Sequence, residues 1–289
     1  MGPAVPIRDH VIFDSLVRDR SARPKAPRVA KRPPMPFPPR GIESAYARKI
    51  KRLIAELQTD FTRELLAALP KIQAEHQKSL PEALRQDSSI EYISRLVGQL
   101  RILTGRLWTA QELEDLAYGQ MEDTNELVKK SIQNQWKRVL GVNPQLNDRG
   151  LQTFLKERAK ENAALISNIP AKQAASLESG ILSAVQRGAR VQEISEIIEE
   201  RFGAMTSNAE TIARTETGKV YSQLNQYRQK EAGLTRYRWA TVGDDRVRDS
   251  HRALDGTLQS WDEPPLVDGE PANPGDQINC RCVALPVIE

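Results

Sequence analysis

Cysteine is nearly missing from this 289-residue chain: there are only two, Cys280 and Cys282, both among the last ten positions. Two thiols one residue apart close only a strained disulfide, which excludes a cross-linked scaffold. A reduced compartment, a metal, or two idle thiols remain as readings. Aromatics are also scarce, at 5%, so the cores must be built mostly from Leu, Ile, Val and Ala. No apolar run approaches the ~20 residues that a membrane span needs. The opening MGPAVPIRDHVIFD lacks the apolar stretch of a secretory signal. The expectation is a soluble protein made in the cytoplasm, without a membrane span. Its 39% apolar and 28% charged residues suit one large domain or two ordinary ones with exposed helices.

The net charge of +4 is unevenly spread. Residues 1–40 hold nine Lys/Arg against three Asp/Glu and nine of the eighteen prolines, whereas residues 207–289 hold ten Lys/Arg against thirteen Asp/Glu. Proline lacks an amide donor and disfavours helix in the residue before it, so residues 1–40 read as a basic, Pro-rich extended arm. Residues 7–18 could form a short helix or strand that docks on a partner. A basic tail suggests a polyanion, and nucleic acid is the obvious one. Arg18, Arg20, Arg23, Lys25, Arg28, Lys31, Arg32 and Arg40 are then the DNA-contact candidates. A solvated tail whose charge only maintains solubility is the alternative.

Beyond the arm, residues 41–205 read as a helical domain. Tyr46, Ile50, Leu53, Ile54, Leu57, Phe61, Leu65 and Leu69 form one apolar stripe at i, i+3, i+4 spacing, predicted to end at Pro70. A second helix is expected after Asp87-Ser88-Ser89, with Ile90, Ile93, Leu96, Val97, Leu100 and Leu103 on one face. A third runs from the N-cap Thr109 to Leu140, where Gly141 and Pro144 break it. Residues 148–166 and 171–202 supply two or three more. Whether these stripes are buried within the chain or between subunits is open at this level.

The texture changes again over 206–289. Ser207 with Glu210 reads as a capping box and Gly233 as a helix stop, with Ala213, Val220, Leu224 and Tyr227 pointing inward. Residues 235–241 alternate, which predicts a half-buried strand with Tyr237 and Trp239 on one face and Arg236 and Arg238 on the other. Arg246–Leu254 fits a short helix started by Asp244 or Asp245. Long loops rich in Pro, Gly and Asp follow Gly256, and a strand over Cys280–Leu285 closes the chain. The fold class is thus a mainly α N-terminal body followed by a small α+β C-terminal domain.

Within that domain, Ile212-Ala-Arg-Thr-Glu-Thr217 on a helix is followed in order by Trp239, Asp244-Asp-Arg-Val-Arg-Asp-Ser-His251 and Leu254-Asp-Gly256. Pro264-Pro265, Pro274-Gly275 and Asn279-Cys-Arg-Cys282 complete the series. This ordered set resembles the Mu F-like minor head proteins, also called phage head morphogenesis proteins. The likeness is good over 150–289, weak over 41–150 and absent from the arm. It marks Arg214, Glu216, Trp239, Asp245, Arg246, His251, Gly256, Asn279, Cys280, Arg281 and Cys282 as a family scaffold. It also implies a virion protein of the phage head, assembled in the host cytoplasm. Its implied partners are the portal protein, the major capsid or scaffold protein, and packaged double-stranded DNA. Many relatives carry Cys where this chain has Arg248, and a His shortly before Asn-Cys-Arg-Cys. Here Pro274-Gly-Asp-Gln-Ile278 contains none, so a four-ligand zinc site of Cys and His is not available.

His251, Cys280 and Cys282 remain a metal candidate set for zinc, with Asp249, Asp276 or water as a fourth ligand. Set against this are a helix-surface His and two packed thiols with no cofactor. The acids around His251 (Asp244, Asp245, Asp249 and Asp255) could support a base, but acids at a helix start usually serve its dipole. Arg214 and Glu216 invite comparison with ADP-ribosyl transferases. Two positions apart on a helix they point different ways, and Arg214 is expected to bond Asp244 or Asp245 instead. The expectation is a structural and assembly protein rather than an enzyme. The alternative is a metal-dependent hydrolase or an ADP-ribosyl transferase-like effector carried by the phage.

Overall fold

The apolar stripe beginning at Tyr46 forms α1 (Arg40–Gln77), with Tyr46, Ile50, Ile54, Leu57, Phe61, Leu65 and Leu69 buried along one face. This architecture is taken from a computed structural model, which describes residues 39–77, 82–141, 146, 148 and 150–287. The arm, its short docking segment at 7–18 and the candidates Arg18, Arg20, Arg23, Lys25, Arg28, Lys31 and Arg32 lie outside the described residues; Arg40 opens α1. Pro70 does not end this helix, which runs through it to Gln77. Proline removes one amide bond there, and the packing of Leu65, Ala68 and Leu69 outweighs that loss.

Helix α2 (Glu82–Leu107) begins ahead of Asp87-Ser88-Ser89, so those residues sit inside the helix and do not cap it. Ser and Asp are only mildly unfavourable in a helix interior, and the buried row of Ile93, Val97, Leu100 and Leu103 decides the outcome. Helix α3 (Ala110–Leu140) carries the expected ends. Thr109 Oγ1 accepts from the Glu112 amide, Glu112 answers through the Thr109 amide, and Gly141 closes the helix at φ 73°. Helices α4 (Leu151–Ser167) and α5 (Ile169–Gln186) follow.

The largest departure is α6 (Val191–Glu231), 41 residues without a break. Ser207 is no cap. Its hydroxyl donates back to the Gly203 carbonyl, while Glu210 pairs with Lys51 of α1. A cap requires the chain to leave the helix. Here Ile198, Phe202, Met205, Ala209, Ile212 and Ala213 keep one buried stripe running through the position. The boundary expected at 205/206 therefore falls inside α6. Gly233 does stop the helix at φ 78°: its amide bonds Lys230 and the Leu234 amide bonds Gln229. Tyr227, expected inward, is exposed.

Helix α6 packs on α1, α3, α4 and α5, while α1 meets α2 and α3 meets α4. One apolar cluster joins all of these helices and reaches Val283. Strand β1 (Arg236–Ala240) buries Tyr237 and Trp239 as expected. It pairs antiparallel with β2 (Leu258–Ser260) on one side and β5 (Val283–Pro286) on the other, with Trp239 opposite Ala284. Between them lie α7 (Asp249–Leu254) and a small hairpin, β3 (Leu266–Val267) with β4 (Glu270–Pro271). Strands this short carry no readable alternation, which is why 258–271 reads as loop. Helix α7 starts three residues later than expected, after Arg248, because Asp244 spends its carboxylate on the Arg246 amide in a turn. The body and the C-terminal region together match the expected fold class. No helix among the described residues is long and apolar enough to cross a membrane.

Candidate functional site

A second, smaller cluster holds the candidate site. Tyr237, Trp239, Trp261, Val267, Ala272, Cys280, Cys282 and Ala284 pack together beyond the end of the helical core. Tyr237 and Trp261 lie 4.1 Å apart, and Trp239 meets the His251 ring edge-on at 5.8 Å. Both cysteines lie in the irregular segment before β5 instead of on the expected strand. Their thiols nevertheless turn to one side, because the chain folds back on itself: the Cys280 amide bonds Gln277, and the Cys282 amide donates to Cys280 Sγ at 3.4 Å.

His251 approaches from α7, as expected, and is buried. Its Nδ1 stands 3.3 Å from Cys282 Sγ and 3.5 Å from Cys280 Sγ. Nε2 stands 2.9 Å from Gln277 Oε1. The Gln277 amide group donates to the Val267 carbonyl, which fixes its oxygen toward the ring. That network puts the proton of the neutral imidazole on Nε2 and leaves the Nδ1 lone pair facing both sulfurs. Arg248 Nη1 lies 3.4 Å from Nε2, but both are donors, so the contact carries no bond; Arg248 instead donates to Gln277 Oε1 and the Ile278 carbonyl.

The hydrogen bond from Cys282, then those that a protonated His251 and the Cys282 and Gly275 amides give the thiolate, outweigh burial and hold the Cys280 thiol well below its ordinary range. The same contact with Cys280, together with burial, pushes Cys282 up. His251 is raised, first by its bond to Cys280. The Gly275 amide reaches Cys280 Sγ because the loop lies directly on α6. A Cβ at Gly275 would meet the Gly218 carbonyl and Ser222 at 2.9 Å, and its φ is +97°.

Three donors, two soft and one borderline, thus converge within 4.8 Å. Tetrahedral zinc places its sulfur and nitrogen ligands roughly 3.5 Å apart, so the spacing fits. Neither Asp249 nor Asp276 belongs to the group among the described residues. Asp276 instead accepts the Asn273 amide. The carboxylates near His251 are engaged elsewhere or exposed: Asp244 holds the Arg246 amide, Asp255 the Thr241 amide, and Asp245 faces solvent.

The remaining scaffold residues frame the site. Gly256, at φ 76°, donates its amide to the Trp239 carbonyl. Asn279, at φ 59°, donates its amide to Thr215 of α6. Arg214 does not bond Asp244 or Asp245. It donates to Glu43 of α1 at 3.0 Å and to Asn279 Oδ1 at 3.2 Å, because its position on α6 turns it toward α1. Arg281 is the residue near Asp244, at 3.9 Å. Glu216 points the other way, into a buried nest of Arg158, Asn162 and Lys219. Sequence reasoning missed Gln277 and Glu43. Gln277 is neutral and sits in a loop, and Glu43 lies 171 residues from Arg214, so neither gave a local signal.

Above the thiols opens a cleft of about 260 Å³, lined by Arg214, Arg246, Arg248, Arg281, Asp244, Asn279 and the three metal candidates, with Val242 and Val247.

Comparison with known proteins locates a family match over this region. Residues 175–285 match the family described as Phage Mu protein F like protein. All of the scaffold residues fall within that span, which begins in α5. An uncharacterized protein of Haemophilus influenzae is 30% identical over 128 residues, covering 44% of this chain and 28% of that protein. The NAD(+)--arginine ADP-ribosyltransferase EFV of Enterococcus faecalis is 29% identical over 127 residues, covering 40% of this chain and 26% of that protein. The chain thus spans about a quarter of the length of these curated relatives. No solved structure gives a significant match.

Proposed function

The chain carries a Phage Mu protein F-like region over residues 175–285, and from that premise we propose that it is a minor head protein of a tailed bacteriophage. In this reading it is assembled in the host cytoplasm and kept in the virion. It docks on the portal protein and the major capsid or scaffold protein, and it assists prohead assembly and DNA packaging or ejection. Its role is structural rather than catalytic. The family match carries the reading. Two further features support it: long amphipathic helices suited to an oligomeric partner, and a basic arm suited to salt-sensitive, sequence-independent phosphate contacts with packaged duplex DNA. Quantitative mass spectrometry of proheads, full heads and emptied ghosts tests it. A few copies per particle in all three are expected. Copies lost with the DNA would assign an ejected protein, and absence from every particle would reject the reading.

A metal centre belongs to the same proposal, on the convergence of His251 Nδ1 with the two sulfurs. Three ligands and one open position would hold zinc, with Gln277 as the partner that orients His251. Protein made in zinc-supplemented medium is expected to carry about one zinc per chain by elemental analysis, and the Cys280→Ser, Cys282→Ser double variant none. Equal zinc content in both would sink the assignment.

The transferase alternative has less support. Glu216 is buried and bonded to Arg158, Asn162 and Lys219, so it is not presented to the cleft beside Arg214.

A further inference from the structure

The cleft above the thiols holds positive charge that the protein leaves partly unused. Four arginines line it against a single lining carboxylate, Asp244. Two are committed: Arg214 to Glu43 and Asn279, and Arg248 to Gln277 and the Ile278 carbonyl. The side chains of the other two make no hydrogen bond among the described residues. The Arg281 side chain is only 18% exposed, and its Nε is shielded from water with no hydrogen-bond partner. It forms ion pairs with Glu43 and Asp244 at 3.8 and 3.9 Å, distances too long for a hydrogen bond. Arg246 is exposed, and its side chain makes no hydrogen bond or ion pair among the described residues.

The Arg281 and Arg246 guanidinium groups keep N–H donors that no acceptor among the described residues satisfies, and an anion entering the cleft would satisfy them. We infer that this cleft is a phosphate-binding site, with Arg281 and Arg246 as the main donors and Arg214 and Arg248 as flanking charges. A phosphate group presents several oxygens and takes two guanidinium forks at once, whereas one fork already satisfies a carboxylate. No Phe, Tyr or Trp lines the cleft, and its only apolar lining residues besides the cysteines are Val242 and Val247. The cleft thus lacks the large aromatic platform that base recognition usually uses, and recognition runs chiefly through the phosphate. The source is either a free phosphate or nucleotide, or a phosphodiester of a nucleic-acid backbone. The site needs neither the zinc nor the head-protein assignment.

Titration calorimetry on the full-length chain tests this, with inorganic phosphate, AMP, UMP, adenosine, a ten-residue oligothymidylate and a Glu-rich peptide as probes. Arg246→Glu alters an exposed residue without structural partners, and an unchanged melting temperature will confirm its fold; Arg281→Gln probes the buried donor. Phosphate, AMP and UMP should bind alike, adenosine should not bind, and each variant should weaken binding by about tenfold or more. That pattern assigns a free phosphate ligand. Binding by the oligonucleotide alone, weakened by the same variants, assigns backbone phosphates instead, since the N-terminal arm is intact in both. Unchanged affinity in Arg246→Glu would overturn the site. Equal displacement by the peptide would overturn it in favour of an acidic protein segment.

Discussion

Trp239→Ala is expected to cost about 3–5 kcal/mol of folding stability, measured by denaturant unfolding, and to abolish zinc uptake with it. Trp239 is 1% exposed and is the largest fully buried side chain among the described residues. It sits on the central strand of a three-stranded sheet, and its ring braces His251 edge-on. Removing it opens a void in a cluster of eight buried residues whose other large members, Tyr237 and Trp261, already pack on each other at a tilt. His251 then loses the wall that holds Nδ1 on the sulfurs. Trp239→Phe, which keeps most of the volume, should restore the greater part of both properties. A stability loss under about 1 kcal/mol would show that the cluster contributes little to the fold.

Asp148→Ala should be the other large effect. Arg228 on α6 is fully buried, and its acceptors are Asp148 and Asn125 Oδ1, the latter at 2.7 Å. Removing the carboxylate leaves a buried guanidinium with one neutral acceptor, a situation that costs about 3 kcal/mol. The low end of the usual range applies because Asp148 itself is 32% exposed and water reaches it. Burial pushes the Asp148 carboxyl up, but hydrogen bonds from Arg228 and Lys129 more than offset this and leave it below the usual range. A depressed carboxyl contributes stability that is complete above its unfolded value and fades as pH falls through its folded one. The deficit of Asp148→Ala should therefore be constant through neutral pH and narrow in acid below about pH 4. Adding Arg228→Met should recover part of the loss, since no buried charge then remains. A deficit that grows on acidification would contradict the pairing.

Sequence legibility followed the reach of each signal. Thr109, Glu112 and Gly141 are neighbours in the chain, and the ends of α3 are where they place them. Tyr237 and Trp239 alternate with arginines, and β1 followed. Pro70 and Ser207 failed for a common reason: a local breaker or cap was set against a long buried stripe, and tertiary packing prevailed. The convergence of His251 with Cys280 and Cys282 was anticipated, although the anticipated strand geometry was wrong; a loop turns the thiols together. The arginine cleft was out of reach. Arg214 bonds Glu43 across 171 positions and Asn279 across 65, and no spacing along one chain announces such meetings.

The unbroken course of α6 also bears on how such proteins can be recombined. One end of the helix, through Ile194, Ile198 and Phe202, completes the apolar cluster of the body, and the other presents Arg214 to the cleft and Gly218 to the loop bearing Cys280. A crossover near residue 205 would join two half-helices that must agree in phase, since a one-residue slip rotates every later side chain by about 100° around the axis. The family match begins instead at residue 175, within α5 and before α6 starts. The region shared with the family accordingly takes in the whole of that long helix together with the cleft, so a functional transplant of the cleft would have to carry the helix with it.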